Sequence, residues 1–433
     1  MRRAGCTAAV IGALVLATGA SNATSSQDPY CTGSYGGTAP RAGAALRFGV
    51  DPGIAGSAGR VQLPSVPDDP ARDLAAVKAL RPGGHKLVVR LNRLFWSDGQ
   101  SGIDAFRKQV AMYTRAGSDV ELQVRYHPPQ GEEGDIKAWA AYVRHVVDSF
   151  GANKRVVAMT ITNEVNVTFS PNTSDGAYSR AQDALIAGIE TAQAEAVRKH
   201  YRQLRFGFTY AYRFAPQGDA SFFSYLGAHG GTPFRKALSF VGLDFYPGTV
   251  YPPAMTPGDT YRAELAQAAG VVRDCYAPMA GIGPRIPIWI TEDGVPTGAL
   301  SDEHQSAALQ QLVQAAHDYS GAFHITDYRW FNLRDSSSSS PAVLIGPTFS
   351  SDGLLRSDYT PKVSFGTYRR LIAALGARAT KTPRPGRARG CGSDRRRAAA
   401  VRTARRMPCA RSSSPTRPSS RRPARESPAR DRR

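Results

Sequence analysis

Short runs of apolar and β-branched residues alternate along the chain with longer segments in which apolar residues recur every three or four positions. Continuous apolar runs are typical of buried strands, and the 3.6-residue period is typical of helices that bury one face. Eight strands are predicted, over residues 45–50, 86–91, 120–126, 155–162, 204–210, 240–246, 286–291 and 323–330.

The helical period is clearest after the second and third predicted strands. Ile103, Phe106, Val110 and Tyr113 share one helix face, and residues 136–150 have the same apolar spacing. Each predicted strand is therefore followed by a segment that can cover it.

Residues typical of helix ends mark two of the later helices. Asp302 with Gln305 resembles a capping box at the start of the seventh helix. Pro361 and Gly376 flank the eighth helix at positions that these residues favour.

Eight strand–helix units over residues 45–376 predict a single (β/α)8 barrel of the TIM type. A doubly wound α/β sheet is the alternative. It would need a Gly-rich phosphate loop after the first strand, and Gly-Val-Asp-Pro-Gly at 49–53 is not such a loop.

The first 23 residues predict a secretory signal peptide of the bacterial type. Arg2 and Arg3 precede the apolar run 8–17, and small residues follow through Ala23. The run is too short to span a bilayer, and no later segment is long enough. We therefore expect a secreted or cell-wall-associated protein, with an N-terminal segment at 24–44 ahead of the barrel.

Residues 377–433 are rich in Arg, Pro, Ser and Ala, with 19 Lys and Arg against three Asp and Glu, so they carry +16 of the chain's +20 charge. This composition predicts a disordered tail. The charge favours binding to anionic cell-wall polymer, and no motif indicates a specific nucleic-acid partner. A reading-frame error in a GC-rich gene would give similar text, and this alternative stays open.

The cysteine positions leave one pair for a disulfide inside the folded region. Cys6 lies in the signal peptide, and Cys391 and Cys409 lie in the tail. A bridge between Cys31 and Cys275 would tie the N-terminal segment to the barrel, and their spacing does not fit a zinc site.

Two glutamates lie where apolar strands give way to loops. Glu164 follows the fourth strand in Thr-Ile-Thr-Asn-Glu, and Glu292 ends the seventh in Trp-Ile-Thr-Glu. In a TIM barrel the carboxyl ends of the strands form the active-site face, so both side chains are expected there. Two carboxylates on one face are the groups that cleavage of a glycosidic bond requires.

With Tyr246 at the end of the sixth strand and Trp330 at the end of the eighth, these glutamates resemble clan A of the glycoside hydrolases. Residues 353–362 are similar to the clan's lead into the last helix. The resemblance implies a retaining enzyme in which Glu292 is the nucleophile and Glu164 the acid/base, acting on a poly- or oligosaccharide. No cofactor or metal is implied, and a monomer is expected.

The resemblance also implies substrate-binding roles for further residues. Asn163 would bind the sugar 2-hydroxyl, and Arg90 would keep the nucleophile ionised, with Arg93 as the competing candidate. The remaining implied positions are His127 at a subsite, Tyr246 as a donor to the nucleophile, Trp330 as the platform under the cleaved sugar, and Trp96 at an outer subsite.

Two departures keep the family within the clan open. Val165 stands where many members have proline, and Asp244 stands where the best-known β-glucanase and mannanase family has histidine. β-Glucan, β-mannan, β-xylan, galactan and a bacterial exopolysaccharide all remain candidate substrates, with endo or exo action.

Two rival functions are considered. A non-catalytic carbohydrate-binding barrel would be expected to lack one of the glutamates, and both are present. A metallohydrolase would need clustered ligands, but no His-x-His follows the first strand and the 8 histidines are scattered.

Overall fold

The computed structural model describes residues 28–53, 57–58, 61–62, 66–171, 173–250, 252–298, 300–337 and 350–379. The predicted signal peptide and almost all of the predicted tail lie outside this range. So does the second compact unit, Lys381–Arg433.

Eight parallel strands form a closed barrel, as the sequence predicted. Each strand pairs with its neighbour in the chain, and the last pairs with the first. We number them β1 (Arg47–Val50), β2 (Val88–Phe95), β3 (Asp119–Arg125), β4 (Val156–Ile161), β5 (Arg205–Ala211), β6 (Phe240–Phe245), β7 (Ile288–Asp293) and β8 (Ile325–Trp330). The doubly wound alternative is excluded because a doubly wound sheet is open.

Helices follow the strands and cover the barrel from outside. They are α1 (Pro70–Leu80), α2 (Gly99–Arg115), α3 (Ile136–Phe150), α4 (Ala181–Arg198), α5 (Pro216–Ala237), α6 (Tyr261–Val271), α7 (Asp302–Asp318) and α8 (Val363–Leu375). The predicted apolar face of α2 is buried, with Ile103 fully enclosed. None of the described helices is long and apolar enough to cross a membrane.

The helix ends confirm one capping prediction and correct another. Gly376 is the C-cap of α8, whereas Pro361 lies one residue before the N-cap Lys362 and not at the first helical position. The N-cap of α7 is Ser301, whose hydroxyl accepts a hydrogen bond from His304 N, and not Asp302. Gln305 points inward and donates to Val295 O at 2.7 Å, so it is a core residue rather than part of a capping box.

A short antiparallel pair, Ser57–Ala58 with Val61–Gln62, was not predicted. It lies between β1 and α1, at the carboxyl end of the first strand. This is the end at which the active-site loops of a TIM barrel are found.

The N-terminal segment is bound to the outside of the barrel. Cys31 and Cys275 form the predicted disulfide. Gln267 on α6 accepts hydrogen bonds from the backbone N–H groups of Tyr35 and Gly36. These contacts are made by residues that precede the predicted start of the barrel at residue 45. The segment 28–44 is therefore part of the folded unit.

The C-terminal boundary lies a few residues later than the predicted Gly376. Ala377 N donates to Leu46 O and Ala379 N donates to Gly84 O, each at 2.8 Å. The chain therefore remains attached to the start of the barrel through residue 379.

Candidate active site

The two predicted glutamates lie together at the carboxyl ends of the strands, which we call the barrel mouth. Glu292 is on β7, and Glu164 is three residues beyond the end of β4. One carboxylate oxygen of each lies within 4.8 Å of the other. Glu164 is 4% exposed and Glu292 is 6% exposed, so both side chains are nearly enclosed.

Both oxygens of Glu292 accept hydrogen bonds. Arg90 Nη1 donates to Oε1 at 2.5 Å, and Tyr246 Oη donates to Oε2 at 2.6 Å. An ionised carboxylate can accept both bonds at once, and charge-assisted bonds are the strong ones. The two donors therefore fix the orientation of the Glu292 carboxylate.

Arg90 is fully buried on β2 and is the guanidinium that contacts Glu292. Its Nε also lies 3.5 Å from Glu121 Oε1 and its Nη1 lies 3.7 Å from Asp51 Oδ2. Burial lowers the pKa of Arg90, but the carboxylates of Glu292, Asp244 and their neighbours outweigh it and raise the pKa overall. Arg93, the competing candidate, does not make the contact to Glu292.

Glu164 is placed by an unusual backbone turn. Thr162 and Glu164 have φ values of 67° and 46°, a left-handed conformation that residues other than glycine rarely adopt. Glu164 N donates to Thr209 Oγ1 at 3.0 Å, and Ser174 Oγ donates to Glu164 Oε2 at 3.1 Å. These bonds to β5 and to a following loop hold the turn that directs Glu164 into the mouth.

The environments of the two glutamates differ. Burial, followed by the charges of Asp244 and Glu292, raises the pKa of Glu164 well above its ordinary value. Glu292 instead has a guanidinium and a phenol as donors. A protonated carboxyl next to a hydrogen-bonded carboxylate is the division of roles that acid/base chemistry requires.

Asn163, between the two left-handed residues, is held by several bonds. Its side-chain Oδ1 accepts from Gln123 Nε2 and from Thr209 Oγ1, and its Nδ2 donates to Thr173 O at 2.8 Å. Its backbone N donates to Asp175 Oδ2. The predicted contact to a sugar hydroxyl would use the second N–H of the amide.

His127 is half-buried beside the mouth, in the turn after β3. Its Nδ1 lies 3.0 Å from Ser97 Oγ, and its ring packs on Phe95 and Tyr178. Burial lowers the pKa of His127, and the nearby Asp175 opposes this. The subsite role of His127 stays a prediction.

The two tryptophans lack the surface that their predicted roles need. Trp330 has no exposed area, and its indole N–H donates to Asp352 O at 3.0 Å. Trp96 is 5% exposed and stacks on Tyr126 within the core. The predicted platform and outer subsite are therefore wrong for this structure, because both rings point inward and pack against neighbouring elements.

Phe331 packs against Tyr246, whose phenol donates to Glu292. Its ring centroid is 6.0 Å from that of Tyr246 at 86°, an edge-to-face contact. With Val167, Ala211 and Val250 it forms a small apolar cluster separate from the main core. No pattern in the sequence indicated this residue, since Trp330 next to it is larger and matches the resemblance better.

Asp244, noted in the sequence only as a departure, completes a group of three carboxyls. One oxygen each of Glu164, Asp244 and Glu292 lie within 4.8 Å of one another, close enough to hold a metal ion. The guanidinium of Arg90 already contacts Glu292, and its positive charge opposes a second cation. Asp244 could have been found by the rule that located the glutamates, since it too is a charged residue at the end of an apolar strand.

Asp175 is another buried residue that the sequence did not single out. It accepts hydrogen bonds from Arg125 Nε, Tyr126 N and Asn163 N at 2.8–2.9 Å. It therefore fastens the turn that carries Asn163 and Glu164 to β3.

A cavity of about 1210 Å3 lies at the opposite end of the barrel, where the strands begin. Its described lining includes Arg47, Arg205 and Arg285, and Asp327 is the one carboxylate among those residues. A two-carboxylate reaction has no place there, so cavity size does not locate the chemistry in this protein.

No protein-family model matches the chain, and no curated protein matches it. Solved structures do. A GH5_18 protein from Streptomyces cattleya, in complex with GlcNAc, is 15% identical with a TM-score of 0.53, covering 79% of this chain and 82% of that chain. A GH5_18 protein from Bifidobacterium longum subsp. infantis is 15% identical with a TM-score of 0.53, covering 78% and 80%.

A β-glucosidase from Thermotoga maritima, in complex with castanospermine, is 14% identical with a TM-score of 0.54, covering 78% of this chain and 100% of that chain. These neighbours are clan A glycosidases, the group that the sequence resembles. At this identity the likeness establishes the shared (β/α)8 barrel.

Proposed function

We propose that the protein is a retaining glycoside hydrolase of clan A that cleaves β-linked glycosidic bonds by double displacement. The short distance between the glutamates is the observation that carries this. Retaining enzymes hold their two carboxyls about 5–5.5 Å apart, whereas inverting enzymes leave about 6.5–9.5 Å for a water molecule. One oxygen of Glu164 lies within 4.8 Å of one oxygen of Glu292, and this short separation fits the spacing of retaining enzymes.

In the first step Glu292 attacks the anomeric carbon while Glu164 gives its proton to the departing oxygen. The bond from carbon to the leaving group breaks as the bond to Glu292 Oε forms, giving a glycosyl-enzyme. In the second step Glu164, now ionised, takes a proton from water, and the water oxygen displaces Glu292. The sugar leaves with its original anomeric configuration.

The neighbouring side chains support this sequence of events. Arg90 and Tyr246 hold Glu292 in one orientation, and burial, followed by the charge of Asp244, raises the pKa of Glu164. Phe331 packs edge-to-face against Tyr246 and so supports the phenol that donates to Glu292. Asn163 supplies an amide N–H for the 2-hydroxyl, whose hydrogen bond strengthens in the transition state.

The substrate we propose is a β-linked poly- or oligosaccharide outside the cell. The predicted signal peptide and the basic residues beyond the barrel support export and attachment to anionic wall material. One S. cattleya neighbour, 16% identical with a TM-score of 0.54, is a complex with Manβ1-4GlcNAc. This disaccharide therefore belongs in the substrate panel with β-glucan, β-mannan, β-xylan and galactan.

The test is hydrolysis of this panel, with reducing-end detection, followed by proton NMR of the first product formed from the best substrate. Retained anomeric configuration is expected. Inversion would exclude Glu292 as a nucleophile. Binding without hydrolysis across the panel would favour the non-catalytic carbohydrate-binding barrel.

A further inference from the structure

Asp244 is fully buried next to the two glutamates. It lies on β6 and pairs with Glu292 on β7. The register between the two strands shifts just before this pair, after Leu243. Asp244 has no exposed surface, whereas Glu164 and Glu292 keep a small exposed fraction. A sugar in the barrel mouth can touch the glutamates, but Asp244 can act on it only through them.

The carboxyl of Asp244 is only half satisfied by hydrogen bonds. Thr291 Oγ1 donates to Oδ1 at 2.7 Å, and Oδ2 has no hydrogen-bond partner among the described residues. The Thr209 hydroxyl is also near Asp244, but it has a single proton, and Asn163 Oδ1 lies 3.1 Å from it. An ionised oxygen left without a donor is costly in the interior, and a proton held on the neighbouring Glu164, one oxygen of which lies within 4.8 Å, lowers that cost.

The positive charge near Asp244 is already shared among other carboxylates. Arg90 contacts Glu292 and also lies within 4.0 Å of Asp51 and Glu121. If Asp244 were ionised as well, four carboxylates would surround this guanidinium. Like charges at such distances in a buried site are relieved by protonation.

The groups that face Asp244 come from each neighbouring element. They are Glu292 on β7, Arg90 on β2, Glu164 after β4 and Tyr246 directly after β6. Burial and then Glu292 raise the pKa of Asp244 well above its ordinary value, and Arg90 opposes this. Asp244 is in turn the largest charged contribution to the raised pKa of Glu164, after burial.

We propose that Asp244 is a positioning residue that keeps Glu164 protonated, because the two carboxyls cannot both ionise next to Glu292. Two carboxyls that interact this strongly titrate as a pair. Asp244 is then the carboxyl of this pair that ionises first, and its negative charge opposes ionisation of Glu164. This role rests on the glycosidase function proposed above and explains how Glu164 retains its proton near neutral pH.

The first test is the pH dependence of kcat/KM for Asp244→Asn. Asparagine keeps the shape and can still accept from Thr291, but it cannot ionise. A unit charge at 4.8 Å changes a neighbouring pKa by about two and a half units at an effective dielectric constant of about 20. We expect the basic limb to move toward acid by at least about one pH unit, with activity preserved at acid pH.

Asp293→Asn is the matched control. Asp293 follows Glu292 on β7, is fully buried, and has a pKa raised well above its ordinary value by burial, but it accepts its hydrogen bond from Tyr328. Asp293 is outside the three-carboxyl group, so the basic limb of the pH profile of Asp293→Asn should stay where it is in the wild-type protein. An unmoved limb in Asp244→Asn, an equal shift in both variants, or a uniform loss of activity at every pH would overturn the role of Asp244.

A second measurement does not depend on activity. In protein labelled with 13C at the glutamate carboxyl, the Glu164 signal, identified by its loss in Glu164→Gln, should titrate at a lower pH in Asp244→Asn than in the wild-type protein. That shift in a protein inactive on every glycoside would uphold the role of Asp244 and contradict the proposed function. An active enzyme without the shift would support the proposed function and contradict the role of Asp244.

Folding of the variant is checked by thermal unfolding. If Asp244→Asn does not fold, Asp244→Ser removes the carboxyl with a smaller side chain. If neither folds, the wild-type titration decides, because a pair that shares protons gives a two-step curve for Glu164. A single independent step would overturn the proposal.

Discussion

Arg90 and Glu292 are 202 positions apart in the sequence, and they meet in the barrel mouth with Nη1 2.5 Å from Oε1. The second oxygen of Glu292 accepts from Tyr246, so each side of the carboxylate has its own donor. This arrangement ties β2, β6 and β7 together at one carboxylate. Each donor can therefore be tested by removing it alone.

Tyr246→Phe removes one donor and leaves the ring in place. A hydrogen bond to a charged group contributes about 1.5–3 kcal/mol, so kcat/KM should fall by roughly 10- to 100-fold. Tyr328→Phe is the control, because Tyr328 Oη donates at 2.7 Å to Asp293 Oδ2, a buried bond outside the pair. The control should lose stability but not activity. Equal activity losses in both variants would mean that the Tyr246 phenol acts only through the fold.

Glu292→Gly removes the proposed nucleophile and leaves a gap next to Arg90. Turnover should be abolished, and azide should restore slow cleavage of an activated aryl β-glycoside, because the small anion can enter the gap and attack the anomeric carbon. The product should be a glycosyl azide of inverted configuration, which NMR identifies. Rescue that yields no azide adduct would contradict nucleophilic attack from this position.

Glu164→Ala removes the proposed acid. Acid assistance matters most for poor leaving groups, so the glycosylation rate should fall far more for an oligosaccharide than for a dinitrophenyl glycoside. Activity needs protonated Glu164, and its raised pKa places the loss of activity on the basic side; the variant should lack that limb. Glu190→Ala, which removes a half-buried glutamate on α4, should keep the limb. Equal losses on both substrates would argue against this role.

The sequence located the two glutamates because a simple physical rule applies to them. A charged residue at the end of an apolar parallel strand faces the barrel mouth, so Glu164 and Glu292 could be placed without coordinates. The same rule covers Asp244. The resemblance to clan A drew attention to the histidine that position 244 lacks. The carboxyl that Asp244 contributes there was therefore given no role.

The positions of the aromatic rings could not be derived in this way. Trp330 is in register with Val50 of β1, and its indole is covered by the chain around Asp352, which returns from a long connection. Whether a ring at a strand end faces the mouth or the core depends on where this later part of the chain packs. Phe331, one residue later, lies against Tyr246 instead.

Asp73 on α1 predicts a pH-dependent part of the stability. Burial, opposed by a hydrogen bond from Tyr359, raises its pKa to about 7. The folded state therefore binds this proton more tightly than the unfolded state, and its stabilising contribution is present below pH 4 and is lost as the pH rises through 7. Asp73→Asn should match the wild-type free energy of unfolding near pH 4 and exceed it at pH 8, by on the order of 1–3 kcal/mol.

Urea unfolding at several pH values measures this difference. The exposed Asp104→Asn is the control, and it should follow the wild-type curve. If Asp73→Asn and the wild-type protein lose stability in parallel between pH 4 and pH 8, then Asp73 is ionised in the folded state throughout, and the assignment of its proton is wrong.

Removal of residues 381–433 tests the predicted tail. The cut preserves the backbone bonds of Ala377 and Ala379 to the barrel, and it removes 18 Lys and Arg with three Asp and Glu. Because this segment holds most of the net charge and few large apolar residues, we expect the melting temperature and activity on a short soluble glycoside to stay nearly unchanged. Binding to anionic cell-wall material should be lost. The full-length protein should elute from that material with added salt, since its attraction is screened over about 8–10 Å. A truncated protein that unfolds, or that loses activity on the short substrate, would show that the segment belongs to the folded enzyme.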